Sequence, residues 1–527
     1  MKKYYTLFLF VITNGLLSTL NAQVSYYVSP TGNNANAGTN TAPWKTMVYA
    51  AAQLTSGDTL RVMPGTYNES AKVIISTSNV TFKANDPNNR PIIDFNDRNN
   101  LGNRYVDGYG YSNVSWDGIN ITNAGGSDRA AINFGIWYPT GWTGTHLQNW
   151  TIKNCDISYA YNAAVRWMNV DNVLIENVYA TECAQLNANG LDSLGHPHII
   201  LGYFSDTVTI RNCRIIQNYG EGVGPYVGCA QWLIENNTVA DNFTVNVYVD
   251  TEVGNCIVRN NLIYNTTFNS GQIPCGIRIA NEVSDLPYGY HDPSKFLVSN
   301  VEIYNNIILN VKRGIEAFPY WGGPFQLTNS VIFNNTIATT TGNSRGLFFT
   351  VPGSYQVRNN IVYNTTGISL GPAATASNNY TSDPIFVNGT GIDPANYMLA
   401  AGSPCIDTGI AVASVTSDFW GTTRSYNSVY DIGAHEYTGT VLGINNSINA
   451  IGPNIYPNPN NGTFTIAQNN THKIEIETYN ILGELIFKTT SADQQTIINL
   501  SSNPKGIYFV RTTDSNKNIT NNKIIIQ

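Results

Sequence analysis

Between residues 149 and 360 the chain repeats one alternation of apolar and polar positions: TIKNCDI at 151–157, LIENVYA at 174–180, TIRNCRI at 209–215, LIENNTV at 233–239, IVRNNLI at 257–263, EIYNNII at 302–308, VIFNNTI at 331–337 and QVRNNIV at 356–362. Each copy places an aliphatic residue two before an Asn and another three after it. The recurring residues are Asn154, Asn177, Asn212, Asn236, Asn260, Asn305, Asn334 and Asn359, separated by 23, 35, 24, 24, 45, 29 and 25 residues. Short strands at this period, with almost no helical pattern, predict a β-solenoid in which a short step is one rung and a long step a rung with an inserted loop. A rung cannot bury its apolar face alone, so the rungs are expected to stack at about 4.8 Å and pair their backbones. The inward column predicted is Ile152, Ile175, Ile210, Ile234, Val258, Ile303, Ile332 and Val357. Asn tolerates left-handed dihedrals better than other non-Gly residues, which suits a turn repeated at one place. Cys155, Val178 and Cys213 stand where later rungs carry a second Asn, so that position is expected to face the core.

Outside the repeats the pattern changes. Residues 44–54 read as an amphipathic helix, which would cover the first rung and block edge pairing. Looser strands follow near 73–75, 80–82, 92–95 and 114–121. Residues 125–150 gather Gly with Trp137, Tyr138, Trp142 and Trp150, rings that would either stack on sugars or cover the solenoid side. Residues 383–437 hold a distinct set, with Asp407, Asp418, Asp431 and Glu436 among them, read as structural. Residues 438–452 form a polar linker, and 453–527 a small separate β-domain.

The repeats resemble the right-handed parallel β-helix of the pectate-lyase-like superfamily. The segment 23–70, with its Pro-Gly-Thr-Tyr turn, looks like the N-terminal cap of secreted β-helix proteins, and 381–437 like their closing module. The last domain, with Tyr456-Pro457-Asn458-Pro459, Asn480-Ile481-Leu482-Gly483 and Gly506-Ile507-Tyr508, resembles the C-terminal sorting domain of the type IX secretion system of Bacteroidetes. The resemblance implies passage through that machinery and release, or attachment to the outer cell surface. The expected fold is therefore all-β: a right-handed parallel β-helix over 23–437 with a helical cap, plus a small C-terminal β-sandwich.

Charged residues are only 12% of the 527, and the formal net charge of −7 gives no reason to expect nucleic acid as a partner. The first 22 residues combine two lysines, an apolar run broken by Thr13, Asn14 and Gly15, and Ala22, and read as a secretory signal rather than a membrane span. Seven cysteines, with no CxxC pair, read as small buried fillers rather than metal ligands. The chain is expected to act as a monomer.

A second strand follows each Asn turn: AAVRWMN at 163–169, PHIILGY at 197–203, EGVGPYV at 221–227, VNVYVDT at 245–251, CGIRIAN at 275–281, RGIEAFP at 313–319 and RGLFFTV at 345–351. The third residue of each is expected inside: Val165, Ile199, Val223, Val247, Ile277, Ile315 and Leu347. Strand alternation then points its neighbours outward. One outward column collects Arg166, Tyr248, Arg278 and Glu316. The other collects His198 and Asn246 among glycines that would leave an open floor. Glu221 lies at one strand's start, Asp250 at another's end, and Tyr226 and Trp321 at strand exits. The inserts at 186–196 and 266–274 would wall the cleft.

Acids, a His, a Tyr and arginines on one face point to a polysaccharide substrate, cleaved in one of two ways. In a hydrolase two of Glu221, Asp250 and Glu316 flank the glycosidic bond. In a lyase or epimerase, His198 or Tyr248 removes the proton beside a uronate carboxyl and Arg278 or Arg166 neutralises the developing charge. A Ca²⁺ ion held by carboxylates could replace the arginine. Arg166, Asn246, Tyr226, Trp321 and Trp142 are the expected substrate contacts. The chain lacks the Asn-Thr-Asp-Gly of polygalacturonases, the facing lysine of some β-helix lyases and the Asp-Pro-His of alginate epimerases. A non-catalytic glycan-binding or adhesive surface protein is the rival reading.

Overall fold

The computed structural model describes residues 24–126, 129–137, 144–185, 198–266, 273–281, 297–317, 325–340, 344–439, 454–468, 473–480, 483–514 and 519–527. The expected signal at 1–22, nearly all of the linker, most of the two inserts, and Trp142 and Trp321 lie outside them.

The eight rungs from Asn154 to Asn359 turn on the Asn column. Its eight members take φ between +51° and +56°, the left-handed region where a branched side chain would be strained. The twelve-residue strands Leu147–Ser158 and Val170–Thr181 pair in parallel on both sides of Asn154 and Asn177. The sheet therefore bends at the Asn instead of ending there. Among the described residues 24 strands join this bent parallel sheet, and 11 form a second parallel sheet that closes each rung. The inward column pairs in the expected register from Ile152 to Val357. All eight side chains have zero exposure, each worth roughly 2 kcal/mol of hydrophobic burial.

The position after the Asn turn faces the core, as Cys155, Val178 and Cys213 suggest; all three are buried. In later rungs it carries a buried amide ladder. The Nδ2 of Asn237, Asn261, Asn306, Asn335 and Asn360 each donates to the Oδ1 of the next member, ending at Asn379, at 2.9–3.0 Å. Each of those oxygens also accepts a backbone N–H one rung below. Buried polar groups are tolerated here because every amide is paired. Below the ladder the core switches to stacked rings, with Trp150 on Phe134 at 4.1 Å and Trp167 on Trp232 at 5.5 Å. Trp150 thus belongs to the interior.

The cap helix is shorter than the sequence pattern predicts, spanning Met47–Gln53. Trp44 cannot join it because its backbone pairs with Tyr27 and Ser29, and the Thr46 side chain caps Tyr49 N–H instead. Met47, Ala50 and Ala51 enter the solenoid core. At the far end the closing module grips the Asn column: Asn305 donates to Ser417 O, Asn334 to Asp431 O and Asn359 to Ile410 O. The last domain is two antiparallel sheets of three and four described strands around Phe464, Ile466, Ile476, Ile498, Val510 and Ile524.

Candidate active site

The second sheet carries the site. Its strands are labelled here β1 (Ile132–Gly135), β2 (Val165–Met168), β3 (His198–Tyr203), β4 (Glu221–Pro225), β5 (Val245–Asp250), β6 (Cys275–Ala280), β7 (Arg313–Ala317) and β8 (Arg345–Phe349). Val165 pairs with Ile200, not Ile199, and Ile200 with Val223. From there Val247, Ile277, Ile315 and Leu347 continue the inward column. The expected alternation fails at the start of each strand, where the chain leaves a corner and two successive residues point inward. Ala164 and Ile199 both enter the core beside Val165 and Ile200.

Two corrections follow. Asn246 is not an outward contact: it has zero exposure and sits in an interior amide chain, accepting from Asn242 and donating to Asn265, both at 3.0 Å. The glycines beside it are packing sites rather than an open floor. A Cβ at Gly276 would lie 2.5 Å from Gly314 O and 2.6 Å from Ile308 Cγ2.

The residue before this inward pair faces outward, and it brings His198 opposite Glu221. His198 Nε2 lies 2.5 Å from Glu221 Oε2, with both side chains largely buried. The imidazole stacks on Tyr248, ring centres 5.4 Å apart and planes 2° apart, and meets Tyr226 edge-on at 5.3 Å. Burial alone would lower the His198 pKa, but the charge and hydrogen bond of Glu221 and the charge of Asp250 outweigh burial and Arg166, and raise it. A carboxylate on Nε2 fixes that nitrogen as the protonated one, so in the neutral ring the lone pair is on Nδ1. Nδ1 is buried and has no hydrogen-bond partner among the described residues.

Two rungs beyond β4, Arg278 projects over the Tyr248 ring at 5.6 Å. Its Nε and Nη2 both lie 2.9 Å from Glu316 Oε1. Arg313, which the sequence reading passed over, donates to the same oxygen at 3.1 Å. Glu316 has zero exposure. Burial opposes the Arg278 charge, yet Cys275, Glu316 and Tyr248 around it raise its pKa above the ordinary arginine value. Asp250 is fully buried and accepts from Thr251 Oγ1 at 2.8 Å. Arg166 stacks over Trp137 at 4.5 Å and Tyr203 at 5.2 Å. Arg166, His198, Glu221, Tyr226, Tyr248, Asp250, Arg278 and Glu316 therefore share one face, while Trp142 and Trp321 lie outside the described residues.

No group of three or more His, Cys, Asp or Glu side chains among the described residues is placed to hold a metal ion. Glu316 is bound to two guanidinium groups and Glu221 to an imidazole, so these carboxylates do not fit a Ca²⁺ site.

The closing-module acids form a separate buried knot. Arg424 pairs with Glu436 at 2.9 Å, both nearly unexposed. Asp418 accepts from Trp420 N, Thr422 N and Glu436 N, and Asp431 from Asp407 N and Tyr437 N. Burial, above all, pushes the Asp431 carboxyl up to about 6. The seven cysteines are all buried and unbridged, and burial raises their thiol pKa values.

With this geometry in hand, comparison with known proteins is direct. Residues 26–256 match the model of the Pel9A-like right-handed beta helix region, and residues 454–527 that of the secretion system C-terminal sorting domain. The solenoid is a right-handed parallel β-helix. The sorting domain marks this β-helix protein for type IX secretion to the cell surface or the extracellular space. An endo-acting ulvan lyase of Formosa agariphila is 31% identical over 83 residues. That stretch is 16% of this chain, and the chain spans only 16% of the relative's length. Among solved structures, XylC in complex with xylose aligns at 12% identity over 78% of this chain and 98% of its own, TM-score 0.49. Pectate lyase Pel9A aligns at 16% identity over 79% and 96%, TM-score 0.42. A rhamnogalacturonan lyase aligns at 15% over 76% and 99%, TM-score 0.42.

Proposed function

We propose that this β-helix protein is a polysaccharide-degrading enzyme, and that it cleaves a uronate-containing glycan by β-elimination. The observation that carries the reading is the lone pair on His198 Nδ1, defined by Glu221 at Nε2 and backed by the parallel Tyr248 ring. A neutral imidazole in that tautomer is a general base. In the proposed step Nδ1 takes the proton beside the uronate carboxyl. The released electron pair forms the ring double bond, the glycosidic C–O bond breaks, and the Tyr248 hydroxyl protonates the leaving oxygen. Arg278, anchored by Glu316 and adjoining Arg313, neutralises charge building on the carboxyl group. Because Nδ1 is shielded from water, substrate access needs a side-chain movement, and the partly exposed Tyr226 ring, edge-on to the imidazole, is placed to make it.

Hydrolysis is less well served. Glu316 is fully buried against two arginines. Glu221 and Glu316 also stand on strands three rungs apart, about 14 Å, whereas paired glycosidase carboxylates lie roughly 5–9.5 Å apart. The experiment is to incubate the protein with a panel of acidic polysaccharides and follow unsaturated uronate absorbance and new reducing ends together. Equal growth of both supports elimination. Reducing ends alone would transfer the site to the carboxylates, and neither signal on a polymer that demonstrably binds would favour the glycan-binding or adhesive alternative.

A further inference from the structure

The corner that turns His198 outward recurs at the start of β8. Gly346 and Leu347 both point inward: a Cβ on Gly346 would strike Val362, and Leu347 is buried in the core. Arg345 and Phe348 on either side of them therefore face outward. Phe348 stands directly beyond Glu316 in the column of Tyr248 and Arg278, and Arg345 directly beyond Arg313. Burial changes at this rung. Arg278 and Glu316 are buried, whereas Phe348 is half-buried and Arg345 is exposed.

Among the described residues, three guanidinium groups share this face of β6, β7 and β8 with one carboxylate. Glu316 supplies that carboxylate, and Arg278 and Arg313 already hold it. Arg313 and Arg345 pair directly across adjacent strands, and like charges so placed destabilise a sheet. The next strand, Ile368–Ser369, sets Ser369 beside Phe348, and residues 364–371 contain no acid. The Arg345 guanidinium lies over the Phe348 ring at 4.2 Å and makes no hydrogen bond or ion pair among the described residues. Stacking fixes the guanidinium plane while leaving its N–H edge in water, able to take a carboxylate or sulfate oxygen pair in a two-point contact.

We infer that Arg345, held on Phe348, forms an anion subsite that binds a carboxylate or sulfate group of the polysaccharide at the open end of this face. The inference rests on the acidic-glycan reading above and adds a direction to it. The strands β5 and β8 are three rungs apart, roughly 14 Å, so the sugar chain runs along the solenoid axis from the His198–Tyr248 stack toward the C-terminal end. An anionic group at β8 also offsets the repulsion between Arg313 and Arg345, which gives the like-charge pair a use that the fold alone does not. Short acidic oligosaccharides that end before β8 bind more weakly than the polymer.

The test uses the full-length protein and reads affinity by retardation in gels containing one of two polymers, a polyuronate bearing carboxylates alone or a sulfated neutral galactan. Arg345→Gln is expected to weaken binding roughly tenfold, the loss of one charge-assisted contact. It is also expected to melt at or above the wild-type temperature, because the repulsion with Arg313 is gone. Arg345→Lys, which keeps the charge without the planar fork, is expected to bind between Arg345→Gln and the wild type. A loss on the polyuronate assigns the subsite to carboxylate, a loss on the galactan to sulfate ester, and a loss on both to either anion. Wild-type affinity in Arg345→Gln, on each polymer that the wild type binds, overturns the subsite and leaves the proposed reaction standing. Wild-type affinity in Arg345→Lys reduces the effect to general charge attraction and also overturns it, as does weakened binding by Arg345→Gln with a lowered Tm. If the wild-type protein binds neither polymer, both the subsite and the acidic-glycan reading fall.

Discussion

His198 Nε2 and Glu221 Oε2 meet at 2.5 Å across two adjacent rungs. The contact raises the His198 pKa from its ordinary 6.5, against burial, which alone would lower it. A base must be neutral to act, so activity is expected to rise with pH through that raised value. Glu221→Gln keeps a hydrogen-bond acceptor but removes the charge, and should move the acid limb of kcat/KM to lower pH. An unmoved limb would dissociate Glu221 from the base. The same raised pKa means that the pair stabilises the fold most fully below about 6.5 and loses that contribution as pH climbs through the folded value.

Tyr248 is expected to matter through its oxygen. Tyr248→Phe preserves the ring stacked on His198 and should leave the stability within about 1 kcal/mol of the wild type. Its kcat should fall about 10²- to 10⁴-fold, the usual worth of a proton donor, with KM little altered. Stopped assays on a polymer that the wild type cleaves provide the check; a fall confined to KM would make Tyr248 a binding group.

Glu316 is expected to act as an anchor. Glu316→Ala leaves Arg278 and Arg313 facing each other over a buried gap, and denaturant unfolding should show a loss of about 3–5 kcal/mol. Glu316→Gln should lose less stability, because the amide oxygen still accepts from one arginine. Full stability in Glu316→Ala would show that the two arginines are held by other means.

The closing module offers a control. Arg424→Ala strands Glu436 in an unexposed site and should cost about 3–5 kcal/mol of stability, read as a lower Tm. At a temperature where the variant is folded, kcat should match the wild type. A specific loss of turnover would give these acids a chemical role instead of a structural one.

The rungs were legible because two chemical demands repeat at fixed spacing. Asn at a left-handed turn and an aliphatic residue two positions earlier fixed the inward column from Ile152 to Val357 without error. The Arg278–Glu316 pair was likewise visible as one column. The register slipped at His198. An insert precedes that strand, so no spacing tied it to its neighbours, and the corner breaks alternation by turning two residues inward. The same corner hid Arg313 and misplaced Asn246, whose polarity reads as surface although its amide is spent on interior carbonyl and amide partners. Cys213 and Cys155 gave the one sequence hint that polar residues near a turn could face the core.

The measurement that bears most directly on the proposed chemistry is cleavage by His198→Gln and Tyr248→Phe on an acidic polysaccharide that each variant still binds like the wild type. The account predicts that both lose release of unsaturated uronate by at least about a hundredfold while retaining the polymer in binding gels. Undiminished release from either variant would contradict it and place the reaction elsewhere on the solenoid.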